Sequence, residues 1–107
     1  MRPSARRSTT TWQRFVAAGP EQVIQTRILR ELKRREFYAV KIITANRNGV
    51  PDILACIDGM FVGIEVKAPG GRVSKLQDAH QQWIKDAGGI AVVVRSWEEL
   101  KEYLGLS

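Results

Sequence analysis

The chain has 107 residues, of which 44% are apolar and 26% charged, and its formal net charge is +6. This balance supports one modest core and argues against a second domain or a wholly disordered chain. Its single cysteine, Cys56, excludes an intramolecular disulfide; no apolar run approaches the ~20 residues of a membrane span, and the N-terminus lacks a signal peptide's apolar core, so a soluble cytoplasmic protein is expected.

Residues 1 to 19 form the first segment, a basic and flexible arm. Arg2, Arg6, Arg7 and Arg14 stand there with no acidic residue, so four of the six net positive charges precede the expected domain of residues 20 to 107. Such an arm suits a polyanionic partner, because cations placed on phosphates release condensed counterions; it is equally accounted for as a solvated tail. Pro20 then suits the first position of a helix, and Glu21 complements the positive end of its dipole. Ile24, Ile28, Leu29 and Leu32 recur at helical spacing, so residues 20 to 35 read as an amphipathic helix. Its other face carries Arg27, Arg30, Lys33, Arg34 and Arg35.

Three strands are expected next, over residues 39–44, 52–57 and 60–67. The second and third are joined by Asp58-Gly59, a two-residue hairpin signal because a type I′ turn needs positive φ at both centres. Ser74 followed by Gln77 fits a capping box for a helix that reaches about Ala87, where Gly88-Gly89 stops it. Ile90 to Arg95 reads as a strand buried on both faces, and Ser96 with Glu99 opens a short last helix through Leu104. The order is αβββαβα, which gives one α/β domain on a central mixed sheet flanked by helices.

A two-residue turn at Asp58-Gly59 fixes the hairpin register, placing Ile57 opposite Met60, Cys56 opposite Phe61 and, at the far end, Asp52 opposite Glu65. Opposed residues share a face with Cβ atoms roughly 4.5 to 5.5 Å apart. Two carboxylates so placed repel, and a hard divalent cation between them converts the repulsion into a binding site. Lys67, two residues beyond Glu65, shares that face. An E-x-K alternation alone is also what any half-solvated strand shows. The coincidence of the two acids on one cross-strand pair, reached through the extended Gly49-Val50-Pro51 entry, favours a site.

Four signatures together, Glu21-x-x-x-Gln25 on an opening helix, Gly49-Val50-Pro51-Asp52, Glu65-Val66-Lys67 and Ser74-x-x-Gln77, resemble the VRR-NUC family of the PD-(D/E)XK nuclease superfamily, in the form of its stand-alone phage-type members. The resemblance covers residues 20 to 107. It implies a restriction-endonuclease-like αβββαβ core, with Glu21, Asp52, Glu65 and the carbonyl of Val66 as ligands of Mg²⁺ or Mn²⁺. It implies Asp52, Glu65, Lys67 and Gln77 as the catalytic set, Lys67 orienting the attacking water. Gln77 is equally explained as the capping partner of Ser74. Arg27, Arg30, Arg34, Arg72 and Lys75 are the expected contacts to DNA.

Short stand-alone members resemble dimeric Holliday-junction resolvases. The resemblance therefore implies a homodimer that cuts branched DNA in a bacterial or phage-infected cytoplasm. A nuclease for flaps, nicks or single strands and a catalytically silent DNA-binding module are the alternatives. His80 is expected on a helix surface, Cys56 as a buried small hydrophobe, and Trp83 and Trp97 in a core or interface rather than on a base-stacking platform.

Overall fold

Pro20 at the first helical position and Glu21 in the first turn begin α1, Pro20–Arg34. It ends one residue before the expected limit because Glu36 takes a left-handed φ of 65° and turns the chain away. The computed structural model describes residues 19–107. The basic arm expected over residues 1 to 19 lies, apart from Gly19, outside the described residues.

Four strands follow the expected scheme with shifted ends: β1 is Tyr38–Lys41, β2 Ile53–Ile57, β3 Met60–Val66 and β4 Ile90–Val94. The helix α2, Lys75–Asp86, lies between β3 and β4, and α3, Trp97–Leu104, closes the chain. The sheet order is β1-β2-β3-β4, antiparallel across the first three strands and parallel between β3 and β4. A hairpin can join antiparallel neighbours, whereas the parallel pair needs the α2 crossover. Asp58 and Gly59 have φ of 52° and 82°, and the register pairs Ile57 with Met60, Cys56 with Phe61 and Ile53 with Ile64, as the two-residue turn dictates.

One face of the sheet is dry. Ile53, Ala55 and Ile57 of β2, Val62, Ile64 and Val66 of β3, and Val94 of β4 meet Ile28 and Leu32 of α1 and Trp97 and Leu100 of α3 in one cluster. Removing each such side chain from water contributes roughly 1.5–3 kcal/mol. The other face bears α2, which packs on β3 and β4. Gly63 of β3 permits that approach, since a Cβ there would lie 2.7 Å from Ile84 Cδ1 and 3.0 Å from Pro51 Cγ.

Because α2 lands on β3 and β4, the same face of β1 and β2 stays open. Cys56 is consequently exposed, not a buried small hydrophobe. His80 departs from expectation the other way. It is 8% exposed because Gly49, at φ 89°, brings the loop before β2 onto Leu76 and His80. Trp97 is in the core and Trp83 is half exposed.

Candidate active site

β3 alternates between the faces, so Val62, Ile64 and Val66 enter the core while Glu65 points to the α2 side. Glu65 lies inside the sheet, its backbone paired with Val93 of β4, and is only 2% exposed. Lys67 follows the strand and prolongs its ladder by donating its N–H to the Val94 carbonyl at 3.0 Å. The Lys67 ammonium stands 3.7 Å from Glu65 Oε2 with its side chain 12% exposed.

Asp52 stands one residue ahead of β2 rather than inside it. Its carbonyl accepts from Ile42 N–H at 2.8 Å, and its Oδ2 accepts from Val66 N–H at 2.8 Å. The carboxylate thus satisfies an N–H of β3 where β2 has run out. A strand residue directs its N–H and C=O to the same side, so the Val66 carbonyl also faces Asp52. The carboxylate opposition expected from the register is present in substance. Burial, then the charge of Asp52 and a hydrogen bond with it, push the Glu65 carboxyl up to about 8, while Lys67 opposes the shift.

Gln77 serves both roles that the sequence leaves open. Ser74 Oγ accepts from Gln77 N–H at 3.1 Å, and Gln77 Oε1 accepts from Ser74 N–H at 2.9 Å, completing the capping box. Ser74 N–H can only donate, so Oε1 must face it and Nε2 is left to donate to Glu65 Oε2 at 3.1 Å. Glu21, at the opening of α1, reaches the same region, its Oε2 accepting a long 3.4 Å hydrogen bond from Ala68 N–H. Its charge also raises the Glu65 carboxyl slightly.

The structure therefore brings Glu21, Asp52, Glu65, Val66, Lys67 and Gln77 together. The basic candidates are dispersed. Arg27 and Arg30 line an open groove of about 490 Å³ on α1 with Gln22, Val23, Thr26 and Lys41. Arg27 also pairs with Glu98 at 2.9 Å, and Arg34 is held by Glu31 at 2.8 Å. Arg72 and Lys75 are exposed on the loop before α2 and in its first turn.

Sequence reasoning passed over Gln81 and Lys41, and used Gln25 only as part of a motif. Gln25 and Gln81 are buried, and neither Gln25 Oε1 nor Gln81 Nε2 finds a partner among the described residues. Each lies four residues beyond a site residue, Glu21 or Gln77, and that one-turn spacing was the available signal.

The carboxylates suit a hard cation. An acid buried against a second carboxylate, its carboxyl pushed up to about 8 although Lys67 opposes the shift, is a place where further positive charge is stabilising. Among the described residues no three His, Cys, Asp or Glu side chains stand close enough to hold a metal ion by themselves, so Asp52 and Glu65 would be its side-chain ligands and Glu21 a more distant acidic group.

The family model for the VRR-NUC domain matches residues 3–98 of this chain. The chain belongs to the VRR-NUC family. Two solved structures share its fold. One, titled VRR_NUC domain, superposes with a TM-score of 0.72 at 20% identity, covering 82% of this chain and 97% of the other. The second, titled VRR_NUC domain protein, gives 0.69 at 18% identity over 81% and 86%. No curated protein matches. The VRR-NUC match begins within the basic arm and ends in the first turn of α3. Membership makes this a nuclease-type domain, and no described helix is long and apolar enough to cross a membrane.

Proposed function

We propose that this VRR-NUC domain is a divalent-metal-dependent endodeoxyribonuclease that hydrolyses phosphodiester bonds in branched DNA. The single observation that carries the reading is the convergence of Asp52, Lys67 and Gln77 on the buried carboxyl of Glu65. Asp52, Glu65 and the Val66 carbonyl would hold Mg²⁺ or Mn²⁺, with Glu21 as a further acidic group. When bound, the ion supplies Lewis acidity for the phosphoryl oxygens and acidifies water.

The remaining chemistry is done by side chains. Lys67, mostly shielded from solvent, brings a positive charge to the phosphate and stabilises the negative charge that develops on it. Gln77 fixes the rotamer of Glu65 through Oε2 and leaves Oε1 unclaimed by that bond. Val66 N–H holds Asp52 in the same way. Because both carboxylates are anchored before substrate arrives, little reorganisation is left for the reaction. Arg27, Arg30 and Lys41 offer phosphate contacts along the α1 groove, and Arg72 and Lys75 offer more beside the site.

One small domain has little surface for reading bases, so its selectivity rests on DNA shape. The resemblance to junction-resolving members makes a homodimer acting on a Holliday junction the leading form. A nuclease for flaps or single strands is the second, favoured by an aromatic groove on the site's own face of the sheet. The test is incubation of the purified protein with four-way junction, flap, single-strand and linear duplex DNA in Mg²⁺, in Mn²⁺ and in EDTA. Cutting in metal that EDTA abolishes and Lys67→Ala strongly slows is expected. Equal cutting of junction and linear duplex would remove the junction preference, and no cutting of any DNA would remove the nuclease.

A further inference from the structure

A second recess lies on the site's own face of the sheet, about 380 Å³ in volume, with Arg47, Phe61, His80, Trp83, Ile84 and Gly89 among its walls. Phe61 is 48% exposed and Trp83 45%, so two aromatic rings face solvent there rather than the core. The Arg47 guanidinium sits 4.9 Å from the Trp83 ring centroid. His80 packs against the same indole in an edge-to-face arrangement, 4.9 Å between ring centroids and 64° between planes. Among the described residues, Arg47 is the one charged side chain in that wall.

Two elements run from the recess to the active site. Phe61 and Glu65 are four residues apart on one face of β3, roughly 13 Å at about 3.3 Å per residue. Trp83 and Gln77 are six residues apart on α2, about 9 Å along its axis. The loop that carries Arg47 continues through Gly49, packed on His80, to Asp52. A strand whose phosphate lies at Asp52 and Glu65 would place a nearby nucleotide over the recess.

We infer that this recess is a subsite for an unpaired nucleobase, seated against Trp83 and Phe61, with Arg47 meeting the adjoining phosphate. An aromatic platform with a cation beside it is how proteins hold single strands without reading sequence, because every base offers a π-face. A paired base is already stacked within its helix and cannot enter. The subsite therefore selects DNA with an unpaired strand near the cut, such as a flap or an opened branch. The inference rests on the nuclease reading for its place beside a cleavage site, but its test does not depend on cutting.

Binding of a fluorescein-labelled oligothymidine and of a linear duplex is measured by anisotropy in EDTA, for the wild-type chain and for Trp83→Ala, Trp83→Phe and Arg47→Ala. Trp83→Ala is expected to weaken the single strand about tenfold while the duplex changes less than twofold, and Trp83→Phe to restore most of the loss. A 5-iodouracil oligonucleotide photocrosslinked to the wild-type protein is expected to label Trp83 or Phe61, which reads the subsite even if a variant folds poorly. Equal losses on single strand and duplex, or crosslinks only elsewhere, would overturn the subsite. So would a fall in particle mass of Trp83→Ala by sedimentation, which would make the recess a contact between copies. If the wild-type protein cuts nothing yet crosslinks at Trp83, the nuclease reading fails and the base subsite stands.

Discussion

The two faces of the sheet contrast sharply. On the side of α1 and α3, every buried sheet residue is apolar and the helices close over it. On the side of α2, the sheet carries Glu65 buried beside Asp52, while α2 brings a half-exposed Trp83 and Gln81, whose Nε2 finds no partner among the described residues. Alternation along β3 allows this division, since each residue added to the core face is followed by one available for chemistry. Stability is concentrated on one side, and the other can hold a repulsive carboxylate pair that an isolated strand would not tolerate.

The contrast breaks most visibly when one residue is removed from each face. Leu100→Ala, in the core, is expected to cost about 2–5 kcal/mol of unfolding free energy by denaturant titration. Lys67→Ala is expected to lower the cleavage rate on a preferred substrate by about 10²–10³-fold, read in single-turnover assays, while leaving the melting temperature nearly unchanged. A Lys67 variant that unfolds as readily as Leu100→Ala would show that the faces are not separable.

Gln77 sharpens the contrast because it belongs to both concerns. Gln77→Ala is expected to cost about 1 kcal/mol through the lost cap and to slow cleavage about 10–100-fold through the freed Glu65. Gln77→Glu keeps a capping acceptor but loses the donor to Glu65, so activity is expected to fall with most of the stability retained. Equal retention of both would mean that the Gln77–Glu65 hydrogen bond is dispensable.

A third test titrates the chemical face. Glu65 keeps its proton in the fold up to about 8 but gives it up near 4.5 when unfolded. Between those values the native state binds more protons, so the metal-free protein is expected to lose stability as pH rises from 4.5 to 8. Thermal melts across that window check the sign, and Glu65→Gln is expected to flatten the slope. The smallest effect is expected from Arg30→Ala, which should weaken DNA binding uniformly across sequences and reduce the salt slope by about one.

Much of this arrangement was legible because local chemistry fixes it. Asp58-Gly59 sets the hairpin register within two residues, and register alone brings Asp52 to Glu65. Ser74 and Gln77 announce the helix start, although only the fold shows that the same amide reaches Glu65. Where α2 lands on the sheet was not legible, since it depends on Gly49 and Gly63 admitting side chains from a distant segment. The exposure of Cys56 and the burial of His80 depart from expectation for that reason. The expected end of β1 runs past Lys41 because its apolar content continues into Ile42 and Ile43, of which Ile42 makes one last bond, to the Asp52 carbonyl. The partner that Glu31 offers Arg34 three residues earlier is also visible in the spacing, and it leaves the guanidinium exposed.

The sharing of Gln77 between a helix cap and a carboxylate ties catalysis to fraying. Helix ends open locally far below the temperature at which a domain melts, and amide exchange is fastest there. Each transient loss of the first turn of α2 would set Glu65 free to turn. On warming, turnover should therefore decline ahead of global unfolding, at the pace set by hydrogen exchange at Gln77 and Asp78.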